Sequence, residues 1–314
     1  MELFTQCACV LLDQAPAIDD VELALDGWAL TGRQQPAPDE DGWVACGPGV
    51  VVELRGGGSV IVDVVDRPWP DDLQAASGGS ALGAAWRAGM LGPTSMPGAL
   101  ARAREQSWAW AEGAAAAKRH RAFVRLRTVV ELPQDARQLP KSHDPVYELT
   151  TLTEMAGALL RLRGATALFL PGGEALRSLE QVEGVLRLKT GVGPPPVDLW
   201  VNLRALSLGQ VGDARWMLLD TVGMAQLRLP DHEALFVEAQ EEADAVAALL
   251  RNVCLHLVAG RGIADGSTAD DGRGRRWRAS AATGALLPHR PVLRWLPEES
   301  PKPNAAMQER LRPR

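Results

Sequence analysis

At 314 residues, 46% hydrophobic and 23% charged, the chain has the composition of a folded globular protein, long enough for two ordinary domains or one large domain of two halves. Its net charge of −6 argues against a nucleic-acid-binding surface, which needs clustered lysine and arginine. No stretch reaches the ~18 apolar residues needed to cross a bilayer, and the acid at position 2 before a short apolar run is unlike a secretory leader.

Residues 7–12 form an uncharged apolar run bounded by Asp13 and Pro16, the pattern of a buried strand. Ile18, Val21, Leu25 and Trp28 follow at helical spacing, with Gly32 to end the helix. After a proline-rich loop, residues 43–54 and 59–65 read as strands joined across Arg55-Gly56-Gly57-Gly58 as a hairpin. Residues 66–98 are irregular apart from a short helix near 82–87. A helix at 98–119 then leads into a strand at 123–132, where Val124 and Leu126 alternate with Arg125 and Arg127.

This β-α-β-β-α-β order is ferredoxin-like, and the second half repeats it in outline. A helix at 148–163, a strand at 165–170, a helix at 174–188 and strands at 197–206 and 215–229 come first. A short strand at 234–238, a helix at 241–258 and strands at 276–282 and 292–296 complete the unit. The expected fold is α+β, with two ferredoxin-like (βαββαβ) halves packed together: residues 1–132, a linker at 133–145, residues 146–297, and a frayed tail at 298–314.

Most catalytic signatures are absent: there is no phosphate loop, no GxGxxG after a strand, no HExxH and no GxSxG. Gly78-Gly79-Ser80 falls short of the last of these because Leu82 stands where glycine is needed. Cys7, Cys9, Cys46 and Cys254 include no CxxC pair and read as buried thiols of a reducing, cytoplasmic compartment. Arg273, Arg275, Arg276 and Arg278 follow Asp265, Asp270 and Asp271, which suits a solvated hairpin face better than a phosphate site.

Residues 215–236 hold the densest set of polar groups inside an apolar frame: Asp220, Thr221, Asp231, His232 and Glu233. His256 returns towards the same end on the helix at 241–258. Asp220, His232, Glu233 and His256 could form a pocket serving as general base or metal ligands. The simpler alternative makes them structural. Asp220 and Thr221 would satisfy backbone donors at a bulge by Gly223, Asp231 would cap a turn after Pro230, and His256, like His120, would serve a helix end.

Ten tryptophans against one tyrosine and four phenylalanines are unusual, and most should be core. Trp69, in the proline-rich RPWP loop, and one of Trp108 or Trp110 are the expected exposed binding residues, because two residues apart on a helix cannot both face inward.

Several features resemble an uncharacterised bacterial domain-of-unknown-function family. They are Pro68-Trp69-Pro70 after a valine-rich strand, a tryptophan-bearing helix leading through His120 into a strand, and the run from Pro196 to Leu199-Trp200-Val201. Thr221-x-Gly223-Met224, the acid Glu233, and the turn Gly260, Asp265, Gly266, Thr268 continue it. The resemblance would span nearly the whole chain, most strongly after Pro196. It implies no reaction; some members resemble proteins encoded near toxin or secretion genes, which raises an immunity or accessory role.

The function expected from these features is non-catalytic binding of another protein, as an immunity-type protein or a secretion accessory, with no cofactor, no metal and no membrane insertion. One alternative is a hydrolase using Asp220, His232, Glu233 and His256. Another is an assembly subunit that pairs through an open strand edge. The oligomeric state is left open.

Overall fold

The structure is a computed structural model that describes residues 2–35, 43, 47–55, 57–72, 79–132, 139–140, 143–188, 193–238, 240–299 and 305–311. The chain divides into two compact units, residues 1–199 and 200–314. Their described residues form one sheet in each unit.

The first unit contains β1 (Glu2–Leu12), α1 (Ile18–Ala24), β2 (Leu30–Gln34), β3 (Gly49–Glu53), β4 (Ser59–Val65), α2 (Ala81–Arg87), α3 (Ala99–Glu105) and α4 (Gly113–Arg119). It continues with β5 (Ala122–Glu131), α5 (Pro145–Leu159), β6 (Ala165–Leu170), β7 (Ala175–Arg177) and α6 (Leu179–Leu188). The seven strands are antiparallel in the order β2-β3-β4-β5-β1-β6-β7. β1 is interior because its run has no polar face: Cys7 and Cys9 point to one side, Ala8 and Val10 to the other, and all are buried. Cys7, Cys9, Leu11, Phe123 and Phe169 pack with Trp69, Trp86 and Leu100, while α5 lies along β1. Local sequence starts α5: Asp144 Oδ1 accepts from the backbone N–H of Val146 and of Tyr147, each at 3.0 Å, and Pro145 takes the first helical position.

α7 (Val197–Trp200) lies at the division. The second unit then holds β8 (Asn202–Val211), β9 (Ala214–Val222), β10 (Asp231–Val237), α8 (Ala243–Val258), β11 (Thr268–Asp270), β12 (Arg276–Thr283), β13 (Pro291–Pro297) and α9 (Ala305–Arg310). Its six-stranded sheet runs β11-β12-β13-β10-β9-β8 and is mixed, with β10 and β13 parallel. One apolar cluster joins α8 (Val246, Leu249, Leu250, Val253) to Phe236, Trp277 and Trp295. Another gathers Trp216, Leu218, Leu235 and Val237 with Met307 and Leu311 at the C-terminal end.

The α+β class is as expected, but the ferredoxin-like pairing is not what the first sheet shows. β5 stands between β4 and β1, and the sheet extends through β6 and β7. The expected helix at 98–119 is two helices with a turn at 106–112 between them, and the expected strand at 215–229 ends at Val222 and gives way to a 3-10 turn, Met224–Leu227. There Gly223 at φ 135° and Arg228 at φ 59° curl a segment whose alternation looked extended. The stretch expected to fray, 298–314, carries α9, whose Met307 is fully buried.

Trp69 is corrected from exposed to core. Its ring lies edge-on to Phe169, Phe123 and Trp86 at centroid distances of 5.1, 5.4 and 5.9 Å, and its backbone N–H donates to His120 Nε2 at 2.9 Å. The RPWP bend therefore turns the indole inward, and the same contact gives His120 a structural role. Cys7, Cys9 and Cys254 are buried, whereas Cys46 lies outside the described residues.

Candidate functional site

The segment singled out by sequence becomes the charged centre of the second unit. β10 begins at Asp231, directly after Pro230, so Asp231, His232 and Glu233 lie on a strand and not in the turn expected there. Strand alternation sends Asp231 and Glu233 to one face and His232 to the other. Register then aligns a row across four strands: Arg204 opposite Asp220, Asp220 opposite Glu233, and Glu233 opposite Arg294.

Each acid in this row and beside it is gripped by arginine. Arg204 donates twice to Asp220, Nε to Oδ1 at 2.9 Å and Nη2 to Oδ2 at 2.7 Å. Arg290 bridges two acids, with Nη2 to Asp220 Oδ2 at 2.8 Å and Nε to Asp231 Oδ2 at 2.7 Å. Arg294 meets Glu233 Oε2 through Nη2 at 2.8 Å and Nε at 3.0 Å, and the Ala285 backbone N–H donates to Glu233 Oε1 at 2.6 Å. Further arginine hydrogens reach backbone carbonyls: Arg204 Nη1 to Leu287 O at 2.6 Å, Arg290 Nη1 to Pro288 O at 2.8 Å and Arg294 Nη2 to Thr283 O at 3.0 Å. Fork-shaped donors on carboxylates, with backbone acceptors for what remains, are how buried charge is made tolerable.

Asp231 also closes the turn before its strand. Its Oδ1 accepts from the Met224 backbone N–H at 3.0 Å and from Thr221 Oγ1 at 3.2 Å, while Thr221 Oγ1 accepts from the His232 backbone N–H at 2.8 Å. Burial pushes Asp231 and Glu233 above the usual carboxylate range, with Arg290 and Arg294 respectively pulling back. Burial alone would lower Arg290, but Asp231 and Asp220 outweigh it and raise it.

Asp220, His232 and Glu233 are each 0% exposed, so none of them opens onto a cleft. His232 accepts from Trp295 Nε1 at 3.2 Å through Nδ1, on the other side of β10 from the arginines. His256 sits exposed on α8, apart from this enclosed group. The structure thus brings Asp220 and Glu233 together and leaves both histidines out. Sequence reading missed the partners, Arg204, Arg290 and Arg294. The available signal was Arg294 inside the apolar run PVLRWLP; Arg290, in PHRP, carries none. Among the described residues, no group of three His, Cys, Asp or Glu side chains could hold a metal ion. No helix formed by them is long and apolar enough to cross a membrane.

Of the expected binding residues, Trp108 is 68% exposed and Trp110 half-buried against the core of the first unit. They lie in the turn between α3 and α4, not on a helix face. The arginines at 273–278 sit on the β11–β12 hairpin and pair with acids: Arg273 with Glu242, Arg275 with Glu241 and Arg278 with Glu298.

No characterised protein and no solved structure matches the chain. The resemblance expected over nearly the whole length is found over one part of it, and nothing links that part to toxin or secretion genes. Residues 220–296, from the end of β9 to β13 and including Asp220, Asp231, Glu233, Arg290 and Arg294, match a domain of unknown function (DUF4261).

Proposed function

We propose that the protein acts by binding another protein and not by catalysis. The observation that carries this reading is the state of the candidate acids: Asp220, Asp231 and Glu233 are enclosed and each is held by arginine, so none is presented to a substrate. Trp108, by contrast, projects from the first unit. The same turn lines a groove with Trp110, Glu112, Glu180 and Gln181, and Gln181 Nε2 donates to Ala109 O at 2.6 Å, which ties α6 to the turn. An exposed indole on a chain of net charge −6 suits a partner with a basic, partly apolar surface, and that charge would speed the encounter.

The test is retention of a partner from the native cell on immobilised protein, comparing the natural chain with Trp108→Ala at low and high salt. Expected is a defined partner that is weakened by salt and lost from the variant, whose thermal stability is unchanged. Equal retention by both proteins, or no partner at all, would sink the proposal.

A further inference from the structure

Buried acids in this protein follow one rule, with one exception. Among the described residues, Asp63, Glu174, Asp220, Asp231, Glu233 and Glu241 are buried, and each lies within ion-pair distance of an arginine. Glu148, buried in the first turn of α5, has no arginine among the described residues. Its Oε2 lies 3.0 Å from His143 Nε2 and accepts from Thr128 Oγ1 at 3.4 Å, and Thr128 Oγ1 lies 2.6 Å from Thr5 Oγ1. The His143 and Glu148 side chains are 5% and 6% exposed, yet neither ring nitrogen of His143 makes an aligned hydrogen bond. A carboxylate removed from water needs an opposite charge or several donors, and here it has one hydroxyl at long range and an imidazole that is charged only when protonated.

His143 and Glu148 stand in the wall of a cavity of about 850 Å³, within the size range of small-molecule sites. Val51, Leu54, Ile61 and Val129, from β3 to β5, supply an apolar side, and Tyr147 adds an aromatic ring. Among the described residues Glu131 and Asp144 also line it, against Arg55 as the one guanidinium. Three carboxylates to one fixed cation favour a positively charged occupant and disfavour an anion.

We infer that this cavity binds a small organic amine, its apolar body against Val51, Leu54 and Ile61 and its ammonium at Glu148. The amine supplies the counter-charge that arginine supplies to the other buried acids. Calorimetric titration and saturation-transfer NMR of the full chain with 2-phenylethylamine, 2-phenylethanol and 3-phenylpropionate test it. Expected is saturable binding of the amine, weaker binding of the alcohol and none of the carboxylate. Glu148→Gln should weaken the amine about tenfold or more, the scale of one charge-assisted hydrogen bond, and leave the alcohol unchanged. Val130→Trp, which fills the cavity, should abolish both. Carboxylate bound as tightly as amine, no saturable amine binding, or equal amine affinity in Glu148→Gln overturns the inference. Should Glu148→Gln fail to fold, the ranking of the three probes on the natural chain and the loss in Val130→Trp still decide.

Discussion

His232 holds an imidazole in a place where it is costly to charge. Burial pushes its pKa down to about 4 from an ordinary 6.5, and Nε2 is enclosed without a hydrogen-bond partner. The unfolded chain takes up a proton near pH 6.5 and the folded one only near 4, so the unfolded state binds more protons between those values. Stability from this residue is therefore complete above the unfolded value and is lost as pH falls towards the folded one, by about 3 kcal/mol in all. The raised carboxylates Asp231 and Glu233 carry the opposite sign, since their contribution is lost as pH rises through their folded values. Those two acids remain in His232→Phe, so its difference from the natural chain isolates the histidine. Urea unfolding should show the two proteins within about 1 kcal/mol at pH 7, because a lost acceptor for Trp295 is offset by removal of an unmatched N–H. At pH 4.5 the variant should be the more stable. Identical pH dependence would show that the imidazole is not enclosed as described.

At the scale of elements, the row from β8 to β13 is a set of buried pairs that tolerate loss of one partner poorly. Asp220→Ala leaves Arg204 and Arg290 enclosed without their shared carboxylate, and chemical denaturation should show a loss of about 3–5 kcal/mol. Adding Arg204→Met should cost less than the sum of the single changes, because the stranded charge goes with it. An additive result would mean that Arg204 and Asp220 do not act as a pair. How much of this was legible depended on burial. α8 and β5 show a periodic apolar pattern and were read, whereas β2 is largely exposed on both faces and left no alternation to see. Arg125 and Arg127 were assigned rightly to the face opposite Val124 and Leu126, but that face is covered too, and Arg125 pairs with Asp63 at 2.7 Å. Which arginine meets which acid was not readable. Arg290 lies 70 residues from Asp220 and Arg294 lies 61 from Glu233; the pairing of β10 with β13 brings Arg294 opposite Glu233 and carries in Arg290 just ahead of the strand.

For the whole molecule, the match at 220–296 is shorter than the unit that folds around it. A fragment of residues 220–296 lacks β8, and with it Arg204, and also lacks α9, whose Met307 completes the cluster around Trp216 and Leu235. Residues 200–314 should melt cooperatively by circular dichroism, and residues 220–296 should not; a cooperative transition in the shorter piece would show β8, with its Arg204, and α9 to be dispensable. The candidate site was legible as a place and not as a mechanism, because Asp220, Asp231 and Glu233 stand out in sequence while the arginines that silence them look like ordinary surface residues. The row has a further consequence for the order of assembly. β8, β9 and β10 leave the ribosome before β13, and until Arg290 and Arg294 follow, Asp220, Asp231 and Glu233 share one arginine among three carboxylates. A sheet closed at that moment would trap uncompensated charge, so closure is favoured only once the strand that follows Arg290 and carries Arg294 has been made.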